Sequence, residues 1–584
     1  MPWIMSKTGL YFKENGGLTM YRKGRYFSII FMVFIIIFTT ACTKKEEVGK
    51  VKEVGKDDTL VIQYLTRPNS ANIKRSDETP IGKVIKEKFN IVIEYIPFSG
   101  NYRDKLNMML AGGDYPGLLR VERQDIIQKY IQAGAALPLD EYLDNAPNFT
   151  ERYKNTIPYW RVAGNDGKLY KWETKVPQDI KNFCECFDIA VRSDVLEEQG
   201  WPSLVSTDDY IEALKKAMKD HPETNGKKTV GVVVPFAESY GMAGIAPILY
   251  EKGENIISIG NEGVLFDMKN DRFDHMLTNP NTKASYKFFN DLYREGLLDE
   301  ESFTDTMDQV QEKISAGRAL AVYYTMWVIG STNRQLESAG TPELQYVQLP
   351  IQSAEQVANG EKRALRLEST RPYDSVVITK NAEQPERIVE LLDWIASEEG
   401  QLLTQSGVEG VHYTVEDGKR VPTKEYVDGL QADSAYLASQ GFGLFDMFGT
   451  VNVSSEEDGQ PYNLLNDVNI ADDIYNTDRI NESYEKLGWE HSKDWWYENG
   501  KPTPAGVASA MMIEPSSELG MVHQKMTELR VRSTPDLIMA DSDAEFEKVW
   551  ADIEKQYEKL DPQRVVDSFN EMYQESKKEV EQYQ

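Results

Sequence analysis

The pattern that most restricts the fold begins at Leu60. Leu60-Val-Ile-Gln-Tyr-Leu65 is rich in β-branched and aromatic residues and predicts a strand. Pro80 opens a helix, with Ile81, Val84, Ile85 and Phe89 at helical spacing. Asn90 to Ile96 predicts a second strand. Tyr102 to Ala111 predicts a second helix, with Leu106, Met109 and Leu110 apolar and Gly112-Gly113 as its stop. Strand, helix, strand, helix in this order predicts an α/β layer on a parallel sheet.

The alternation continues along the chain. Strands are predicted at Ile189–Arg192, Ala319–Tyr324 and Ser375–Thr379. Helices are predicted at Asp208–Lys219, Ser285–Glu295 and Pro385–Glu399, the last capped near Gly400. Ala544 to Gln584 reads as two charged amphipathic helices. Gly441 to Gly500 is rich in Gly, Asn, Asp and aromatics and reads as loops. No internal repeat is visible.

Before Leu60 the chain is of another kind. A basic stretch, Arg22, Lys23 and Arg25, precedes the apolar run Phe27 to Phe38. A membrane span needs roughly 20 apolar residues, so this run is short and has the form of a secretory signal. Thr39-Thr-Ala-Cys42 ends it, and the segment resembles a bacterial lipoprotein signal, which implies a lipid on Cys42. Thr39 stands where such signals usually carry Leu. An ordinary cleaved signal with an incidental Cys42 is the alternative. Met20 is the expected start, because codons for Gly16-Gly17 can spell a ribosome-binding sequence just upstream. Thr43 to Asp58 is rich in Lys, Glu and Gly and reads as a solvated tether.

Size and charge then bound the body. Of 584 residues, about 540 follow the signal, more than one ordinary core holds, so two or more domains are expected. A net charge of −29 argues against nucleic acid as a partner, whose phosphates require a basic face. It argues equally against adhesion to an anionic membrane surface. Cys184 and Cys186 alternate on a predicted extended segment. They read as two small apolar side chains on one face, with a strained short disulfide as the alternative. The five histidines show no metal-ligand spacing.

Five segments, in order, resemble the large extracellular solute-binding lipoproteins of ABC importers, family 1, of the carbohydrate-uptake type. They are Leu106-Asn-Met-Met-Leu-Ala-Gly-Gly-Asp-Tyr-Pro116, Asn165-Asp-Gly-Lys-Leu-Tyr170, Val191-Arg-Ser-Asp-Val-Leu196 with Gly200-Trp-Pro202, Arg294 to Phe303 with Ile314 to Ala319 and Trp327, and Leu391 to Gln401 with Gly407-Val-Glu-Gly-Val-His-Tyr413. Gly117 departs from the family's usual Asp after the Pro, and residues 441–507 match nothing in it. The resemblance implies a type II periplasmic-binding-protein-like α/β fold. Two discontinuous lobes are joined by a hinge, with ligand between them. After a signal region over 1–41 and a tether over 42–57, it places lobe one at 58–175 plus 365–430. Lobe two is placed at 176–364 plus 431–584. It implies a monomer, lipid-anchored at the outer face of the membrane, that delivers a carbohydrate to an ABC permease.

Sugars expose flat C–H faces and rims of hydroxyls, so their sites combine aromatic platforms with charged or amide groups. Trp327, beyond the strand that ends at Tyr324, is the first candidate, with Tyr324 beside it. Trp172 and Glu173 follow the Asp-Gly-Lys-Leu-Tyr segment, and Trp160 precedes it. Core packing is the alternative for each tryptophan. Trp394 reads as core. Trp495-Trp496-Tyr497 reads either as a platform or as a packed surface loop. Arg67 follows the first strand, where loops line α/β clefts. Arg371 precedes the strand at Ser375. Arginine forks match carboxylates and paired hydroxyls, so both suit an acidic sugar, with solvated surface arginines as the alternative.

Some relatives carry a calcium loop where this chain has His221–Val230. Glu223 and Asn225 have ligand chemistry, but Thr229 and Val230 stand at the acidic end. Calcium needs six to eight oxygens, so the turn is expected without the ion. No other cofactor or metal is implied. The sequence has no Gly-x-Ser-x-Gly, no His-Glu-x-x-His and no phosphate loop, so no enzyme is expected. A binding protein for a peptide or other polar solute, and less readily a secreted glycan-degrading enzyme, are the competing functions.

Overall fold

The computed structural model describes residues 58–98, 102–121, 124–162, 166–173, 188–238, 241–258, 263–324, 328–367, 375–433, 435–451, 453–504, 506–511, 513 and 517–583. Among them no helix is long and apolar enough to cross a membrane. Cys42, Cys184 and Cys186 lie outside the described residues.

Two mixed sheets organise the molecule. The first contains β1 (Leu60–Thr66), β2 (Ile91–Pro97), β3 (Leu118–Val121), β4 (Trp172–Glu173) and, after a long excursion, β10 (Ser375–Ile378). Their order is β2-β1-β3-β10-β4. β1 runs parallel to β2 from Leu60 opposite Ile91 to Thr66 opposite Pro97. β10 runs antiparallel to β3 and to β4. The second sheet contains β5 (Asp188–Arg192), β6 (Val230–Val233), β7 (Ala319–Tyr324) and β8 (Tyr346–Leu349). Their order is β8-β5-β7-β6. β7 is parallel to β6 but antiparallel to β5, which is antiparallel to β8. The helix–strand alternation predicts a parallel sheet, and the first three strands obey it. A strand returning from the other sheet enters from the opposite end, so β10 reverses the direction.

Each sheet has its own core. Ile62, Tyr64, Ile93, Trp172 and Ile378 belong to the first, with Ile388 and Leu391 from the helix Pro385–Ala396. Ile189, Val191, Val232 and Leu320 belong to the second, with Tyr210 and Leu214 from the helix Thr207–Asp220. Leu444, Phe445, Phe448, Val451 and Tyr462 pack into the first core, although the sequence reading assigns everything after 430 to the second lobe. A polar staple holds this stretch. Tyr462 Oη donates to Glu398, and Arg420 pairs with Asp458 at 2.6 Å. Ile480, Phe546 and Trp550 pack into the second core.

The chain therefore passes between the sheets three times: from Glu173 to Asp188, from Leu367 to Ser375, and from Tyr462 to Ile480. The third passage touches both sides. Gln431 donates to the Ile474 carbonyl at 3.2 Å, and the Arg334 guanidinium lies 5.8 Å from the Tyr475 ring. A parallel ribbon of β9 (Arg363–Leu367) and β11 (Gly500–Pro504) stands at the second passage. A smaller antiparallel sheet, Ile256–Ser258, Val264–Asp267 and Arg272–His275, is covered by the C-terminal helix Pro562–Glu581 through Phe569 and Tyr573.

Local chemistry explains where the elements depart from expectation. Ser397 is extended at φ −73° and ψ 167°, and its hydroxyl accepts from the Gly400 amide. It therefore ends the helix at Ala396 and caps a new one, Glu398–Gln405, so Gly400 is internal rather than terminal. A Cβ on Gly400 would lie 2.1 Å from the Trp394 carbonyl. Among its described residues the stretch 441–500 holds three short α-helices, Val468–Tyr475, Asp478–Leu487 and Asp494–Asn499. Asp467 and Thr477 cap the first two. The two predicted C-terminal helices are Asp543–Glu558 and Pro562–Glu581. A longer one, Glu518–Ile538, precedes them with Pro535 inside it.

Candidate functional site

The three passages put the functional interest at their roots, where each sheet releases the chain. At the root of the first sheet, β4 alternates faces. Trp172 turns inward, is fully buried, and donates its indole N–H to the Met447 carbonyl at 2.9 Å. Lys171 and Glu173 share the opposite side. Lys171 Nζ lies 2.5 Å from Glu173 Oε1 and 3.3 Å from Ser375 Oγ. Ser375 pairs with Glu173 across the strands, which fixes this geometry. Both charged side chains are only 3–4% exposed. Among the described residues, Glu173 Oε2 has no hydrogen-bond partner.

At the root of the second sheet the central group is Asp188, the first residue of β5, with no exposed side-chain surface. Its Oδ1 lies 3.2 Å from Lys252 Nζ and 3.6 Å from Arg363 Nη2. Its Oδ2 accepts the Trp496 indole N–H at 3.1 Å. Burial, then the Arg363 charge, lowers the Lys252 pKa against the opposing pull of Asp188. Burial, then the Asp188 charge, raises Tyr323 well above the ordinary phenol value. Tyr323 Oη and Arg363 Nε are buried without a hydrogen-bond partner among the described residues. Asp188 pairs through its backbone with Tyr324, the last residue of β7.

These roots sort the sequence candidates. Trp172 and Trp160 are 0% and 1% exposed. Trp160 packs on Phe149 and Tyr153. Both are core side chains that present no face to a ligand, because the strand and helix that carry them turn these positions into the first core. Glu173 sits at a root but is held by Lys171. Arg67 is exposed directly after β1. Tyr324 ends β7 at the second root, and its side chain lies outside the description. Trp327 and Arg371 lie outside the described residues. Lys171, Ser375, Asp188, Lys252 and Arg363 are the groups that sequence reasoning missed. Trp496, read from the sequence as a platform or a packed loop residue, is a fully buried anchor on Asp188.

The loop at His221–Val230 does not fit calcium. Arg192, 1% exposed, donates from Nη1 to Thr224 Oγ1 at 3.0 Å and to the Gly317 carbonyl at 2.8 Å. Thr224 and Thr229 hydroxyls bond to each other at 2.8 Å, and Asn225 Nδ2 donates to the Ala316 carbonyl. The turn is closed by a guanidinium and by donors, and Thr229 and Val230, after two lysines, stand where carboxylates would be needed. Among the described residues no group of three or more His, Cys, Asp or Glu is placed to hold a metal.

Elsewhere a lysine takes a cation's place. Lys313 Nζ lies 2.6 Å from Asp299, 2.8 Å from Glu301 and 2.5 Å from Asp305. Burial pulls its pKa down, but the three carboxylates outweigh that and hold it above the ordinary lysine value. The trio is a staple for the 3-10 turn Glu300–Phe303, not an open site.

Comparison with known proteins agrees with this architecture. Residues 75–402, over half the chain, match the family described as bacterial extracellular solute-binding protein. Lipoprotein LipO of Bacillus subtilis is 26% identical over 377 residues, covering 62% of this chain and 69% of that protein. The polygalacturonan/rhamnogalacturonan-binding protein YtcQ of the same organism is 22% identical over 446 residues, covering 72% and 83%. Among solved structures, the alginate-binding protein AlgQ2 superposes with a TM-score of 0.60 at 17% identity, over 90% of this chain and 100% of that one. Streptococcus pneumoniae FusA with kestose also gives 0.60, at 16% identity, over 88% and 99%. The chain belongs to the bacterial extracellular solute-binding proteins, the non-enzymatic receptors of ABC import.

Proposed function

We propose that this chain captures a carbohydrate, an oligosaccharide or polysaccharide fragment, between two lobes and delivers it to an ABC permease. The observation that carries the reading is the threefold passage between two separately cored sheets, with buried polar clusters at its roots. A ligand touching both lobes favours the closed arrangement by its differential affinity for it. We draw lobe one as 58–173 and 375–462, and lobe two as 188–367 and 480–583. The boundaries read from the sequence shift because Leu444, Phe445, Phe448, Val451 and Tyr462 pack into the first core and Leu365 packs with Trp496.

A uronate-containing fragment is the first ligand to test, because the relative YtcQ is named for polygalacturonan and rhamnogalacturonan. Titration calorimetry on residues 43–584 should give saturable binding to oligogalacturonides or a neutral oligosaccharide, with no turnover of the glycan. Saturable binding to a peptide library and to no glycan would replace carbohydrate with peptide. Anchoring by lipid on Cys42 completes the reading. Labelled palmitate should enter the wild-type protein and not Cys42→Ala, and a wild-type protein that takes up no label would refute the anchor.

A further inference from the structure

We propose that Trp495 is a sugar-stacking side chain of the ligand site, a role that rests on the carbohydrate reading above. Trp495 and Trp496 are adjacent on the helix Asp494–Asn499, so their side chains point in different directions. Trp496 turns inward and is fully buried. It packs on Leu365 of β9, and its indole N–H reaches Asp188. Those two contacts tie the helix to both of the first two passages. Leu367 ends the strand before residues 368–374, and Asp188 begins the strand after residues 174–187. Trp495 is therefore carried at the junction from which both passages depart.

Its indole is only partly buried, as is that of Trp489. Trp495 meets Trp496 edge-on, with ring centroids 5.8 Å apart at 81°. Trp489 meets Trp496 at 6.1 Å and stacks on Tyr484 at 5.8 Å. The base beneath is firm. Asn499 Nδ2 donates to the Trp495 carbonyl at 3.0 Å, and β11 pairs with β9 over five residues. An indole fixed this way loses little rotamer freedom when a pyranose ring covers it. A pyranose offers the matching surface, a flat C–H face against a π-face, with hydroxyls left at the rim for polar groups.

The test compares wild type with Trp495→Ala and Trp495→Phe, using oligogalacturonides of mixed length, with fructo- and manno-oligosaccharides as neutral arms. Calorimetry should show affinity for the glycan that wild type binds falling at least tenfold in Trp495→Ala and less in Trp495→Phe. The change in tryptophan fluorescence on ligand addition should shrink in both, with melting temperatures close to wild type. If wild type binds a glycan and both variants bind it equally well, the stacking role is overturned while the carbohydrate reading stands. If wild type binds none of the three, both fall. If Trp495→Ala does not fold, Trp495→Phe carries the comparison, and unchanged affinity and fluorescence there overturn the role.

Discussion

The two roots solve one problem in different ways. Each must hold the end of a passage in a dry, rigid place while the chain beyond it changes lobes. The first sheet uses one cation and one carboxylate, Lys171 and Glu173, in direct contact and with Ser375 beside both. The second sheet sets a single carboxylate, Asp188, against two cations and an indole N–H. A one-to-one pair can be removed as a unit. A hub cannot, because deleting it strands everything that points at it. The second root should therefore be the more fragile under single substitutions.

The largest effect is expected from Asp188→Asn. Lys252 and Arg363 would lose their shared carboxylate at a site with almost no solvent. Removing one member of a buried ion pair costs about 3–5 kcal/mol, and here two cations are left. Urea unfolding should show a loss at or above that range. A loss below about 1 kcal/mol, on the scale of an exposed pair, would break the claim that Asp188 is a hub. Lys171→Met in the first root should cost about 3 kcal/mol, because it leaves Glu173 buried and charged. Lys171→Met combined with Glu173→Leu should recover most of that. A double variant as unstable as the sum of its singles would mean no coupling between the two side chains and break the claim that they act as a pair.

The same contrast of lobes can be sharpened with pH. The second lobe buries His275 and His523 beside Arg530. Burial, then the Arg530 charge, holds His523 down at about 4. Burial, Arg530 and His523 hold His275 well below its ordinary value. A depressed histidine pKa means that the unfolded chain takes up protons first as pH falls. The contribution is complete above pH 6.5 and is lost between 6.5 and about 4, which for His523 amounts to about 3 kcal/mol. His523→Gln should flatten the fall in melting temperature over that interval. A slope unchanged from wild type would place the acid sensitivity elsewhere.

Much of this architecture was legible in the sequence, and the rest was hidden for physical reasons. The strand at Leu60, the helix at Pro80 and the helix at Asp208 depend on periodicity within one element, and the structure has each of them. The family followed from ordered segments such as Asp166-Gly-Lys-Leu-Tyr170. The second root was not legible. Asp188, Lys252, Arg363 and Trp496 are far apart in sequence, and each alone is an ordinary residue. Trp172 shows the limit at closer range. Alternation says that it and Glu173 point apart, but not which of them faces the core. The helices within 441–500 were hidden because each is short and Gly or Asn separates them, so no long apolar period forms.

The smallest expected effect is an absence of response. Calcium should leave the melting temperature of this protein unchanged, since the turn at residues 221–230 is already closed. Arg192 supplies the positive charge, fixed by Asp194 through Nε at 3.0 Å and by a second bond from Nη2. It reaches Thr224 and the Gly317 carbonyl, so it ties the turn to the segment just before β7. A divalent ion entering there would have to displace a buried guanidinium and find carboxylates, but Lys227 and Lys228 occupy the turn. The same logic gives the converse test. Arg192→Met should destabilise the second lobe by about 3 kcal/mol, since it strands the largely buried Asp194. Calcium should not restore it, because the oxygens left behind are hydroxyls and carbonyls with one carboxylate. Calcium-dependent recovery in Arg192→Met would show that the turn kept a working ion site beneath its arginine.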